Sequence, residues 1–173
     1  KSDKFKMKNE GKIMNYGVNA EARYSYKTKL TAGLNMTYQN VYNAVKYEGG
    51  KQEISATYKA RVPNLPYLFG NADCSIFFND IFGKGNKLTL GYNGLYVHKY
   101  YLRWPKYGGS SSKLNIPTQI SHDVNATYTL KDGMYNIALE CRNVLDTDLY
   151  DNFSLQKPGR SFSIKFRYFF SKQ

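Results

Sequence analysis

Few side chains in this sequence are of types that carry chemistry: His98 and His122, Cys74 and Cys141, and a basic aromatic stretch at 99–117. Acid–base or nucleophilic catalysis needs a base within reach of a nucleophile, or paired carboxylates. The histidines are far apart and sit among aromatic or apolar residues, which suits packed or interfacial imidazoles. Haem ligation by His98, beside Tyr96, Tyr100 and Tyr101, is the one metal chemistry its neighbours suggest. The cysteines lack any CxxC or His-rich company for zinc and are too few for a disulfide scaffold, so they read as unpaired small apolar residues. Gly83, Lys84 and Gly85 lack the Gly-Lys-Ser/Thr close and the following helix of a phosphate-binding loop. No catalytic residue, metal or resident cofactor is expected.

The stretch at 99–117 is different, because Lys99, Arg103, Lys106 and Lys113 occur in it without an acid, among Tyr100, Tyr101, Trp104 and Tyr107. Cations beside aromatic rings suit an anionic, partly planar small ligand, for which Lys99, Tyr100, Arg103, Trp104 and Lys106 are the candidate contacts. The same composition suits a solvated surface loop.

Strands must position these residues. Over 14–26 the even positions read Met14, Tyr16, Val18, Ala20, Ala22, Tyr24 and Tyr26, while Asn15, Gly17, Asn19, Glu21, Arg23 and Ser25 fill the odd ones. That is the period of two of a half-covered strand. The pattern resumes at 30–38 and returns at 68–78, 88–96, 120–130, 135–141 and 162–170, which makes seven strands. Phe5 and Met7, between lysines, suggest an eighth. The connections alternate between short ones at 27–29, 79–86 and 131–133 and long ones at about 43–65, 99–117 and 143–159. All the short turns fall on the side of the C-terminus.

Short turns on one side and long loops on the other is the asymmetry of an outer-membrane β-barrel. Several strands reach the ~9 to 11 residues that a tilted membrane strand needs, beyond the usual five or six of soluble sheets. Tyr24, Tyr26, Tyr38, Tyr92, Tyr96, Tyr128, Tyr168 and Phe170 lie towards strand ends on the apolar face, where an interfacial girdle belongs. A soluble β-sandwich also alternates, and a basic β-domain binding nucleic acid would suit the net charge of +12. The cations are scattered rather than gathered in a stripe, so no nucleic-acid partner is expected. No run approaches the ~20 apolar residues of a membrane-spanning helix.

Asn143, Val144, Leu145 and Asp146, then Tyr150 to Phe153, then Lys157, Pro158, Gly159, Arg160, Ser161 and Phe162 with a closing aromatic strand, form a segment that resembles the end of a TonB-dependent outer-membrane receptor. The stretches at 61–70 and 15–21 resemble earlier parts of the same barrel, in a form similar to receptors of the Bacteroidetes. The resemblance implies that residues 1–173 are the last seven or eight strands of a 22-strand antiparallel transmembrane β-barrel, without the plug domain and TonB box. It implies an active transporter for a scarce nutrient, a ferric siderophore or haem-type complex, in the outer membrane of a Gram-negative bacterium. Its partners are then outer-membrane lipid, the TonB complex through the N-terminal region, and the barrel-assembly machinery. Phe166, Tyr168 and Phe170 resemble the insertion signal which that machinery reads, although Ser171, Lys172 and Gln173 follow it. The 99–117 cations would face an anionic ligand of this kind or the phosphates of lipopolysaccharide.

Three further expectations follow from the alternation. A self-contained eight-stranded outer-membrane barrel, an adhesin or structural protein, is the alternative to the receptor. On the polar face Glu21, Arg23, Asp73, Asp123, Glu140, Arg142, Lys165 and Arg167 are expected to pair across strands. Cys74 and Cys141 fall on the apolar faces of the third and sixth strands, too far apart for a disulfide.

Overall fold

The computed structural model describes residues 11–47, 52–107, 114–152 and 154–170. It is an antiparallel all-β structure. Seven strands form one sheet: β1 (Ile13–Tyr26), β2 (Leu30–Asn43), β3 (Leu68–Asn79), β4 (Lys87–Val97), β7 (Gln119–Leu130), β8 (Tyr135–Arg142) and β9 (Ser161–Tyr168). Each pairs with the strand next to it in that order. A small hairpin of β5 (Tyr100–Tyr101) and β6 (Asn115–Ile116) stands apart from the sheet, inside the 99–117 stretch that sequence periodicity reads as irregular loop. Two-residue strands leave no periodicity to detect. Phe5 and Met7 lie outside the described residues.

Residues paired across strands share a face, so the register sorts the side chains. One row runs Tyr26, Leu30, Ile76, Leu90, Ala126, Leu139, Ile164 across all seven strands. The adjacent row on the other face runs Ser25, Thr31, Ser75, Gly91, Asn125, Glu140, Ser163. The apolar face meets no second layer among the described residues. Among the described residues only Tyr100 and Ile116 are buried apolar side chains, and both belong to the small hairpin, while Val18 remains 69% exposed and Ile164 76%. A sheet that buried this face against another would place its core there.

The strand ends do not form a straight front. From the row Ser25 to Ser163, the loop-side ends are Ile13, Asn43, Leu68, Val97, Gln119, Arg142 and Ser161, so the strands reach twelve residues past the row in β1 and β2, seven in β3, six in β4 and β7, and two in β8 and β9. On the turn side the order reverses, from one residue in β1 and β2 to five in β8 and β9. The strand midpoints drift one way by about seven residues over six spacings, which at ~3.4 Å per residue and ~4.8 Å per strand is a lean of roughly 40°. Closed barrels lean by ~35–45°.

Direction adds a second constraint. β1 and β9 both run from the loop end to the turn end, so joining them would give a parallel pair. Closing this sheet with antiparallel pairs alone takes an odd number of further strands.

At the turn end two connections clasp each other. The Asn86 amide donates to Tyr128 Oη at 3.1 Å and its oxygen accepts from the Lys131 N–H at 3.2 Å, while the Asp132 N–H bonds the Gly85 carbonyl at 3.2 Å. Gly85 holds φ at +78°, and its N–H bonds Asp80 Oδ1 at 2.8 Å. The last strand ends two residues early: β9 stops at Tyr168, Phe169 still bonds the Met134 carbonyl, and Phe170 lies beyond the strand, 89% exposed, its ring edge-on to Tyr168 at 4.4 Å. There is no partner residue before Met134 in the β8 direction because the tight turn at 131–133 begins there.

Cys74, Tyr92, Val124 and Cys141 occupy one row, so the two thiols are three strand spacings apart, about 14 Å. Treatment with a mild oxidant should yield no Cys74–Cys141 crosslink, and mass spectrometry after alkylation should find both as separate thiols. An intramolecular disulfide would disprove the register.

Candidate functional site: the loop end of the sheet

All three long connections leave the same end of the sheet, and nearly all of the burial is there. Asn43, Thr57, Gln119, Ser121 and Asn143 are the buried polar residues. Asn43, Gln119 and Asn143 anchor loops, whereas Ser121 Oγ donates to Asp123 on its own strand at 3.4 Å. Asn43 Nδ2 donates to Thr57 Oγ1 at 2.8 Å and its Oδ1 accepts the Val45 N–H. Gln119 Oε1 accepts the Tyr150 N–H at 2.6 Å. Burial of these groups costs free energy unless they are bonded, so the bonds fix the loops rather than decorate them.

The segment with the strongest family resemblance has a structural role. Asn143, at φ +49° just past β8, donates through Nδ2 to the Thr147 carbonyl at 2.8 Å and accepts the Thr147 N–H at 3.0 Å, closing a tight loop. Its own N–H bonds Asp123 Oδ1 at 2.8 Å. Asp146 then accepts the Arg160 N–H at 2.7 Å and faces its guanidinium at 3.8 Å. A Cβ on Gly159 would stand 2.6 Å from that carboxylate, so any larger residue there would push Asp146 off the Arg160 N–H. These residues fold the last loop back onto the sheet.

The five candidate ligand contacts do not converge. Tyr100 is 4% exposed and donates its hydroxyl to Asn152 Oδ1 at 3.0 Å. It is an anchor between two loops. Trp104 is half-buried, and Lys99, Arg103 and Lys106 are exposed, with side chains that make no hydrogen bond or ion pair among the described residues. Lys113 lies outside the described residues. Of the five, Tyr100 alone lines the cleft of about 330 Å³ beneath the loops, with Leu95, Val97, Gln119, Asp151 and Lys157. Periodicity alone passes over these others. The signal for them was the pair Leu95 and Val97, apolar on the mostly polar face, which they share with Val41, Phe69 and Phe77. Beside the cleft, the buried side-chain oxygens of Asn64 and Asn115 have no donor among the described residues.

On the polar face the ion pairs run along strands more than across them. Arg23 Nε bonds Glu21 at 2.8 Å and Arg142 Nε bonds Glu140 at 2.9 Å, each two residues along its own strand, and only Lys165 reaches across, to Glu140 at 3.7 Å. The cross-strand pairing expected from the sequence is thus largely absent: Gly33 lies opposite Arg23 and Ser161 opposite Arg142 on β9, while Asp123, next in register to Arg142 on β7, spends its Oδ1 on the Asn143 N–H and the Ser121 hydroxyl. The histidines bond tyrosines on the other face, His122 Nδ1 to Tyr92 Oη at 2.7 Å and His98 Nδ1 to Tyr96 Oη at 2.8 Å.

Replacing Asn143 with Ala should destabilise the protein by about 2 kcal/mol, since a buried bonded amide is lost and its backbone partners are left unpaired. Urea titration in detergent reads this as a lower midpoint at unchanged slope. Burial first, and the Asp151 carboxylate second, push the Tyr100 phenol above its ordinary value. The neutral form is the bonded one, so its stabilisation holds below the ordinary tyrosine value near ~10 and is lost as pH climbs through the raised one. Proteolysis of the 98–118 connection should therefore accelerate above that pH in the wild type, whereas Tyr100→Phe, which lacks the ionisable group, should lose the step. None of the family models and none of the curated proteins compared matches this sequence.

Proposed function

We propose that this chain is part of the wall of an outer-membrane β-barrel, and that the barrel is a TonB-dependent active transporter importing a scarce nutrient, a ferric siderophore or haem-type complex. The observation that carries the membrane reading is the single-layer sheet with a continuous apolar face. Water does not tolerate such a face, and lipid covers it without a second protein layer. Three further features support it. The face is bordered at the turn end by Tyr26, Tyr128, Tyr135 and Tyr168 and at the loop end by Tyr16, Tyr38, Tyr42 and Tyr96, as interfacial girdles would border an apolar band. The lean of the strands fits closure. The opposite face carries self-paired charges suited to a water-filled or plugged interior.

The transporter reading rests on the resemblance of the 143–162 segment, whose Asn143, Asp146, Gly159 and Arg160 form one interlocked loop. In this reading the chain supplies wall, loops and the Phe166, Tyr168, Phe170 insertion signal, and no catalysis. Import would draw on the TonB complex. An eight-stranded barrel satisfies the same strand parity and is the second reading.

Immunoblotting of fractionated native cells, with antiserum to the 99–117 stretch, separates them. The receptor reading expects an outer-membrane band several times larger than 19.9 kDa. A band near 19.9 kDa in that fraction would favour the small barrel, and a soluble band would sink both. Within the membrane, Leu90→Arg on the apolar face should cost ~2–4 kcal/mol and abolish assembly, whereas Thr89→Arg on the polar face should assemble normally. Equal tolerance at the two positions, read as heat-modifiable migration in gels, would refute the assignment of faces.

A further inference from the structure

We propose that the apolar face carries, at its loop end, a binding site for the phosphate of an anionic lipid headgroup, centred on Arg61; this rests on the reading that the face lies against lipid. Arg61 stands opposite Tyr42 in an isolated bridge beyond β2, which puts the two side chains on the same face. Its Nε donates to Asn40 Oδ1 at 3.1 Å, its Nη2 approaches Tyr38 Oη at 3.5 Å, and its guanidinium carbon lies 3.8 Å from the Tyr67 ring centre. Asn40 is held in turn, donating to Tyr16 Oη at 2.7 Å. Every one of these partners is neutral.

This sets Arg61 apart from Arg23, Arg142 and Arg160, and from Arg167, which also lacks a carboxylate partner among the described residues but whose side chain is held by no hydrogen bond there. Arg23, Arg142 and Arg160 each face a carboxylate, whereas no carboxylate among the described residues comes within ion-pair distance of Arg61. A guanidinium has five N–H donors, and two are engaged. The other three sit on a side chain already fixed by an amide and an aromatic face, so little rotamer freedom remains to be lost on binding an anion. Their fork matches the oxygens of a phosphate.

Position names the source of the phosphate. From Arg61 the contacts continue through Tyr67, edge-on to His98 at 5.2 Å, to the His98–Tyr96 bond, so the site lies within an aromatic belt spanning β1 to β4. Such a belt sits at headgroup level. Immediately towards the turn end, the next two rows form a hollow of about 170 Å³ around Gly70, Ala72 and Gly94, walled by Leu34, Met36 and Ile120. A cation at headgroup level above an apolar hollow is complementary to a lipid: the phosphate bonds Arg61 and an acyl chain lies in the hollow.

The test is native mass spectrometry of the whole protein that contains this chain, released from detergent micelles doped with phosphatidic acid or with phosphatidylcholine. Wild type should retain phosphatidic acid about tenfold more tightly than phosphatidylcholine. Arg61→Gln should abolish that preference, Arg61→Lys should keep part of it, and Arg167→Gln on the polar face should leave it intact. Should Arg61→Gln fail to fold, Asn40→Asp sets a carboxylate against the guanidinium and should remove the preference equally. The proposal is overturned by equal retention of the two lipids in wild type, or by an undiminished preference in Arg61→Gln. Displacement by millimolar inorganic phosphate as effective as by phosphatidic acid would overturn the lipid source. A protein recovered without detergent defeats the membrane reading itself, whereas Arg61-independent retention in an outer-membrane protein defeats this proposal alone.

Discussion

A sheet with one unbroken apolar face and no second layer must be covered by something, and the rest of this structure depends on that requirement. At ~25 cal/mol per Å² of apolar surface removed from water, a face of seven strands represents far more free energy than the loop bonds can supply. Tyr100 and Ile116, the only buried apolar side chains among the described residues, lie off the sheet. The fold therefore has no interior core of the usual kind. Its stability is assigned to whatever meets that face, with backbone ladders satisfying every inner strand and the outer edges of β1 and β9 left without a strand partner among the described residues.

The two ends of the sheet divide the remaining work. At the turn end the strands are joined by tight connections that lock to each other through Asn86, so little chain is left free. At the loop end the long connections carry the buried polar groups, and Asn43, Gln119 and Asn143 each satisfy theirs by gripping a loop. The long connections are thereby gathered at one rim, where loops on a rigid scaffold generally carry recognition.

The architecture was legible because period two persisted through strands of eight to fourteen residues. No competing helical period interrupts it, and the short and long connections followed from the same alternation. What escaped was what alternation does not encode. The stagger of strand ends depends on register between strands, which emerges only from pairing. The burial of Tyr100 depends on Asn152, fifty-two residues away, and no local pattern records such a bond. Phe170 continued the apolar alternation of β9 but ran past the end of β8, so the ladder had nothing left to pair it with. The charges on the polar face were visible as charges, yet their pairing along strands depended on register, which sets Gly33 opposite Arg23, and on Asp123 being taken up by the Asn143 N–H beside Arg142.

The candidate site shows the same division between type and placement. Composition singled out the cations at 99–106, and the structure leaves them exposed and apart, while the cleft beneath is lined by residues from four separate segments. Leu95 and Val97 lie on the polar face where it meets the loops, and apolar residues there make sense if a partly apolar surface approaches from the interior side. Arg61 makes the matching point outside. Arg61, without an acid and held by neutral groups, is more informative than the other twenty-four scattered Lys and Arg residues, because its neighbours have fixed its position and left its charge unspent. In a wall one strand thick, each face meets its own environment. Under the proposed function, the polar face at the loop end would be tuned to what passes through a barrel and the apolar face to lipid, with the same four strands, β1 to β4, holding part of both.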